Sequence, residues 1–134
     1  IAVKEAGNNV AQYLELLRDK PDNFSVISGD DDLALGIVLA GGAGVISVIG
    51  QGLPKAFSTM INLGLEGKNK EAYKLHFKMM DIVNMIFEEN NPAGIKAVLN
   101  NLELCNTTVR LPLVPATAQL QSRINTFMAN FSKS

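Results

Sequence analysis

Short apolar runs alternate with stretches of helical period through the first half of the chain, and that alternation most constrains its fold. Residues 1–6, 24–28 and 45–49 read as strands. After the first run, Asn8 is a candidate N-cap, and Val10, Tyr13, Leu14 and Leu17 fall at the i, i+3, i+4, i+7 spacing of one helix face. After the second, residues 31–40 are apolar on nearly every side and predict a well-covered helix. The carboxylates of Asp30, Asp31 and Asp32 suit its positive end, and Gly41-Gly42 closes it. After the third, Leu53, Phe57, Met60 and Ile61 mark another helix face. Strand–helix alternation of this kind implies parallel strands joined by right-handed crossovers.

From Gly67 on, no useful strand run appears. A long helix over about 69–88 carries Ala72, Leu75, Met79, Ile82, Val83 and Ile86 on one stripe. Pro92 suits the first turn of the next helix, whose face is Ile95, Val98, Leu99 and Leu102. Residues 110–115 form an extended connector, and Leu120, Ile124, Phe127 and Phe131 face a last helix. Three parallel strands alone leave two open edges, so the sheet needs neighbours. An eight-stranded α/β barrel takes about 250 residues. The simplest reading is an α/β chain whose residues 1–66 are the last three βα units of a (β/α)8 barrel, with 67–134 a C-terminal helical subdomain. Residue 1 already lies inside a strand pattern, with no initiator Met, and the chain reads as the continuation of something longer.

Composition narrows the classes. The 134 residues are 47% hydrophobic and 19% charged, with a net charge of −1, as suits a soluble globular domain. No basic block interleaves with aromatics, which argues against nucleic acid. Residues 33–53 are weakly charged and long enough to span a bilayer. Their glycines, from Gly36 to Gly52, break them into helix, turn and strand, which argues against a membrane helix. The single cysteine, Cys105, permits no internal disulfide and fits a reducing, cytoplasmic setting.

Lys4 is the residue most suggestive of chemistry. Burying an ammonium costs several kcal/mol unless it is paired or loses its proton, and a neutral lysine amine is a nucleophile toward carbonyls. Lys4 ends the first apolar run, just before Gly7-Asn8-Asn9, and the carboxyl ends of strands are where barrel enzymes keep their catalytic groups. Taken alone, it also fits a surface lysine at a chain end. Gly41-Gly42-Ala43-Gly44 follows a helix and opens a strand, the reverse of a phosphate loop. Gly50-Gln51-Gly52 has the right order for phosphate, but the nearest base, Lys55, falls on a helix. Helix capping accounts for Asp30, Asp31 and Asp32, with no His or Cys close by, so no metal is expected. His76 reads as a partly exposed helix residue and Cys105 as packing. Met60, Met79, Met80, Met85 and Met128 read as core or interface filling.

The motifs also match a family. Ile1-Ala2-Val3-Lys4-Glu5-Ala6 resembles the Schiff-base strand of the dihydrodipicolinate synthase and N-acetylneuraminate lyase family. Ser28-Gly29-Asp30-Asp31 resembles its Ser-Gly-Asp-Asp turn, and Gly42-Ala43-Gly44-Val45-Ile46-Ser47-Val48 its Gly-x-Gly-Val-Ile-Ser-Val strand. Asn91-Pro92 with Lys96, then Arg110-Leu111-Pro112, resemble its C-terminal helical region. These landmarks run in the family's order and spacing from Ile1 to about Pro115, and they favour the dihydrodipicolinate synthase branch.

The resemblance implies that Lys4 forms an imine with pyruvate, whose enamine attacks L-aspartate 4-semialdehyde in lysine (diaminopimelate) biosynthesis. It places Gly29 and Ile46 at the pyruvate pocket, Ile46 through its backbone carbonyl. It implies a homotetramer and no cofactor. The family's proton-relay tyrosines, and the arginine that recognises the aldehyde's carboxylate, belong to the preceding half of such a chain. A sialic acid or keto-sugar acid lyase of the same family, and a non-catalytic truncated module, remain as alternatives. An isolated 134-residue piece is expected to lack efficient catalysis.

Overall fold

The structure, a computed structural model, describes residues 1–132; residues 133 and 134 of the expected helical segment lie outside the described residues. The strands are β1 (Ala2–Glu5), β2 (Ser25–Ser28) and β3 (Gly44–Val45), parallel and in the order β1-β2-β3. Helices α1 (Val10–Asp19) and α2 (Ala34–Leu39) make the two crossovers. A 3₁₀ turn (Ile49–Gln51) leads to α3 (Pro54–Leu65), and α4 (Asn69–Glu88), α5 (Ala93–Asn101) and α6 (Ala118–Phe131) complete the chain.

Local hydrogen bonding departs from two expectations. Asn9, not Asn8, caps α1, its Oδ1 accepting from the Gln12 amide at 3.3 Å. The third strand is two residues long rather than five. The ladder extends only to the Ile46 amide, which donates to the Ser28 carbonyl at 2.8 Å, before the chain coils into the 3₁₀ turn.

The core explains most of the helix faces. Leu53, Phe57, Met60 and Ile61 of the α3 region are buried, as are Ala72, Met79, Ile82, Val83 and Ile86 of α4. They join Ile95 and Val98 of α5 and Leu120, Ile124 and Met128 of α6 in one cluster that also takes in Ala34, Leu35 and Val38 of α2. A smaller cluster beneath the sheet holds Tyr13, Val26 and Ile37. Here α1 departs from its expected face. Tyr13 is fully buried, but Val10 and Leu14 are about half exposed, because no element among the described residues covers that side.

The α4–α5 corner depends on a missing side chain. A Cβ at Gly94 would strike the Ile86 backbone, including its carbonyl oxygen and Cα. Backbone cannot swing aside as a flexible side chain can. We expect Gly94→Ala to destabilise the fold by about 3 kcal/mol. By contrast, nothing lies within 4 Å of a Cβ at Gly36, inside α2. Gly36→Ala is expected to stabilise by about 0.5–1 kcal/mol. Urea unfolding of the two variants beside the wild type checks both signs.

Candidate functional site

The strands end on one side of the sheet, and the residues expected to act lie there. In the register, Lys4 stands opposite Ile27, and Ile27 opposite Gly44. Side chains alternate along a strand. Val3, Glu5, Val26 and Ser28 therefore take the helix-facing side, and Lys4 takes the other. That other face is open, so Lys4 is exposed rather than buried in an apolar strand. Ile46, two residues past Gly44, is also exposed. With β2 between them, Lys4 and Ile46 are separated by two strand spacings and two residues along the strand, about 12 Å.

Gly29 touches the lysine directly. A Cβ there would lie 2.5 Å from Lys4 Cε, 2.8 Å from Ala6 Cβ and 3.1 Å from the Glu5 carbonyl oxygen. The glycine thus makes room for the lysine's own side chain as well as for any ligand. Its amide donates to the Glu5 carbonyl at 2.6 Å. The same carbonyl accepts the hydroxyl of the fully buried Tyr13. Tyr13 Oη also lies 3.5 Å from Ser28 Oγ, which donates to the Asp30 carbonyl at 3.0 Å and accepts from the Asp30 amide at 3.2 Å. Periodicity counts Tyr13 as an apolar-face residue and is blind to its hydroxyl. The usable signal is that a buried tyrosine needs a partner for that group.

The aspartates divide their work. Asp30 Oδ1 accepts from the Asp32 and Leu33 amides at 2.9 and 3.1 Å, capping the turn into α2. Asp31 is 2% exposed and crosses to the turn after β3. There it accepts from Ile49 N at 2.8 Å and from Val48 N at 3.1 and 3.2 Å. Burial pushes its carboxyl above the usual range, hydrogen bonds from Ser47, Ile49 and Val48 pull it back, and the neighbouring Asp30 charge pushes it up again. Among the described residues, no three His, Cys, Asp or Glu side chains are grouped to hold a metal.

The Gly50-Gln51-Gly52 turn offers no phosphate cradle. Its amides donate to Ser47 Oγ at 2.8 Å, the Val48 carbonyl at 3.1 Å and the Ile49 carbonyl at 2.9 Å. A Cβ at Gly52 would lie 2.5 Å from Val98 Cγ1, so this glycine serves the close approach of α5. His76 is half-buried against the Tyr73 and Phe77 rings on α4, and burial pushes its pKa down. Cys105 is partly buried.

A strand-end lysine packed on a glycine, above a Ser-Gly-Asp-Asp turn, is the arrangement against which known proteins can be compared. The sequence profile of the Dihydrodipicolinate synthetase family matches residues 1–130. The chain belongs to the dihydrodipicolinate synthetase family. The 4-hydroxy-tetrahydrodipicolinate synthase of Flavobacterium psychrophilum is 50% identical over 133 residues, 99% of this chain and 45% of that protein. The crystal structure of dihydrodipicolinate synthase from Aquifex aeolicus superposes with a TM-score of 0.93 at 30% identity, covering 98% of this chain and 45% of that one. The chloride-inhibited dihydrodipicolinate synthase from Acinetobacter baumannii, complexed with pyruvate, gives 0.90 at 29% identity over 96% of this chain and 44% of that one. The chain thus spans less than half the length of these dihydrodipicolinate synthases and shares their α/β fold over that span. Among the described residues, no helix is long and apolar enough to cross a membrane.

Asp31 gives this site a pH signature. Its raised pKa means that the folded chain holds this proton more tightly than the unfolded chain does. The contribution to stability is full below the ordinary carboxylate range and is lost as pH rises through the raised value. Asp31→Asn cannot titrate. We expect the stability difference between wild type and Asp31→Asn to move in favour of the wild type as pH falls from about 7 to about 4. Urea unfolding across that range measures it, and a difference independent of pH is the contrary result.

Proposed function

We propose that this chain is the carboxyl-terminal part of a Schiff-base enzyme that condenses pyruvate with L-aspartate 4-semialdehyde, in lysine (diaminopimelate) biosynthesis. In this reading residues 1–66 are the last three βα units of a (β/α)8 barrel and 67–134 its helical subdomain. The observation that carries it is Lys4, standing on the open face at the strand ends with Gly29 cut back to make way for it. The pyruvate in the Acinetobacter baumannii relative supports the first substrate. Among the described residues, the outer edges of β1 and β3 have no strand beside them and the face carrying Lys4 is uncovered, which supports a remainder of the barrel beyond this chain.

The chemistry follows from the amine. Lys4 Nζ attacks the pyruvate ketone carbon. A C–N bond forms, the carbonyl oxygen leaves as water with the two amine protons, and the imine nitrogen takes up a proton from solvent. The protonated imine draws electrons from the methyl carbon, which gives a proton back to solvent to form an enamine. That carbon bonds to the aldehyde carbon of L-aspartate 4-semialdehyde, whose oxygen takes a proton to become a hydroxyl as the nitrogen returns to a protonated imine. The new product's own amine then displaces Lys4 from the imine, closing the ring and freeing the lysine. Gly29 and the Ile46 carbonyl would border the pyruvate. No cofactor is needed.

We place the enzyme in the cytoplasm, with Cys105 reduced, and as a homo-oligomer. Val10 and Leu14 of α1 line a groove with Leu33 just before α2, Ile37 of α2, and Tyr73 and His76 of α4. The exposed Phe77 packs its ring on Tyr73, and this apolar surface would suit a second copy. Phe77→Glu is expected to lower the oligomeric state of the full-length protein in sedimentation, and an unchanged state would remove this face from the assembly.

Incubation of the full-length protein with pyruvate and borohydride, followed by peptide mapping, tests the central claim. We expect one reduced pyruvate adduct, on Lys4, and a fall in kcat/KM of roughly 10³-fold or more in Lys4→Arg. An adduct on another residue, or a Lys4→Arg enzyme of normal activity, refutes it. The 134-residue piece alone is expected to show no turnover, and measurable turnover by it would overturn the need for the rest of the barrel.

A further inference from the structure

We infer that the Tyr13 hydroxyl is a positioning group for Lys4, acting through the Glu5 carbonyl and Gly29. This rests on the reading of Lys4 as the imine-forming residue.

The α1 helix grips the residue after Lys4 in two ways from consecutive positions. Gln12 Nε2 donates to Glu5 Oε2 at 3.0 Å, and the Tyr13 hydroxyl donates to the Glu5 carbonyl. Glu5 Oε1 is in turn held by the Gly7 amide at 2.6 Å. The Glu5 carbonyl uses its second lone pair for the Gly29 amide at 2.6 Å. Gly29 therefore has a fixed place relative to the end of β1, and it is the wall against which Lys4 Cε lies. The Tyr13 ring cannot drift, because it is fully buried beside Val26 and Ile37.

A phenylalanine would fill the same space without the hydroxyl. The Glu5 carbonyl would keep only the Gly29 amide as a donor, so the carbonyl that anchors the Gly29 wall would be held from one side. An amine attacking a ketone needs a near-attack geometry, so small displacements at the wall act on the rate of C–N bond formation more than on pyruvate binding. Tyr13 touches neither substrate nor the amine itself. Its effect should appear in how fast the imine forms.

The test uses the full-length protein and the rate of borohydride-trapped adduct as a function of pyruvate. In Tyr13→Phe we expect the maximal rate of imine formation to fall about tenfold, with little change in the pyruvate concentration at half-maximal rate. Ile37→Val loosens the same apolar cluster without touching the Glu5 carbonyl, and should leave that rate near wild type. A wild-type rate in Tyr13→Phe overturns the inference. So does an equal slowing in Ile37→Val, which would make the effect one of packing. A wild-type protein whose adduct forms on a residue other than Lys4 defeats the underlying reading and this inference with it. That outcome is distinguishable because it shows before any variant is made.

Discussion

The carboxyl ends of parallel strands present carbonyls and amides that the ladder no longer satisfies, and the rest of this structure depends on how they are satisfied. The Glu5 carbonyl at the end of β1 is met by the Gly29 amide and the Tyr13 hydroxyl. The Ser28 carbonyl at the end of β2 is met by the Ile46 amide. The Val48 and Ile49 amides after β3 are met by the buried Asp31 carboxylate. Except for the Tyr13 bond, which ties α1 to the end of β1, these bonds tie the end of one strand, or the turn after it, to the turn after the next. The three turns are thereby coupled, and the candidate lysine stands among them. A mobile loop there would lose the contact between Gly29 and Lys4.

Absent side chains set several of the distances. At Gly29 the space goes to a lysine side chain, at Gly52 to Val98 of α5, and at Gly94 to the backbone of Ile86. The last two explain why α5 can lie against both the 3₁₀ turn and the end of α4. The helical segment is thus anchored to the turn after β3, and one apolar cluster runs from α2 to α6. Packing in the second half of the chain therefore bears on the first half's strand ends.

What could be read from the sequence follows from where burial is decided. The stripe of α4 was legible because its partners, α3, α5 and α6, lie in the same chain, so periodicity and burial agree. The α1 face was only partly legible. Val10 and Leu14 repeat with helical period, but among the described residues nothing fully covers them. The apolar run 45–49 looks like one strand, yet Asp31 draws the Val48 and Ile49 amides out of the ladder and into a 3₁₀ turn. That carboxylate reaches across 18 residues to Ile49, and local pattern does not see it. Within the candidate site, the residue types Lys4 and Gly29 stood out in their motifs. The contact between them, and the hydroxyl of Tyr13 behind it, exist only once β1, β2 and α1 are assembled.

The open face bears most directly on chemistry. An amine in water keeps its hydration shell, and a carbonyl beside it competes with solvent for every hydrogen bond. Excluding water strengthens the electrostatic interactions that stabilise an iminium and an enamine, and protects both from hydrolysis. The strand-end hydrogen bonds found here can fix where Lys4 is. They cannot dry it, because the sheet curves over nothing and both its edges end without a partner among the described residues. Position and desolvation are therefore separate requirements. In the proposed reading, residues 1–132 meet the first, and strands covering the Lys4 face would meet the second.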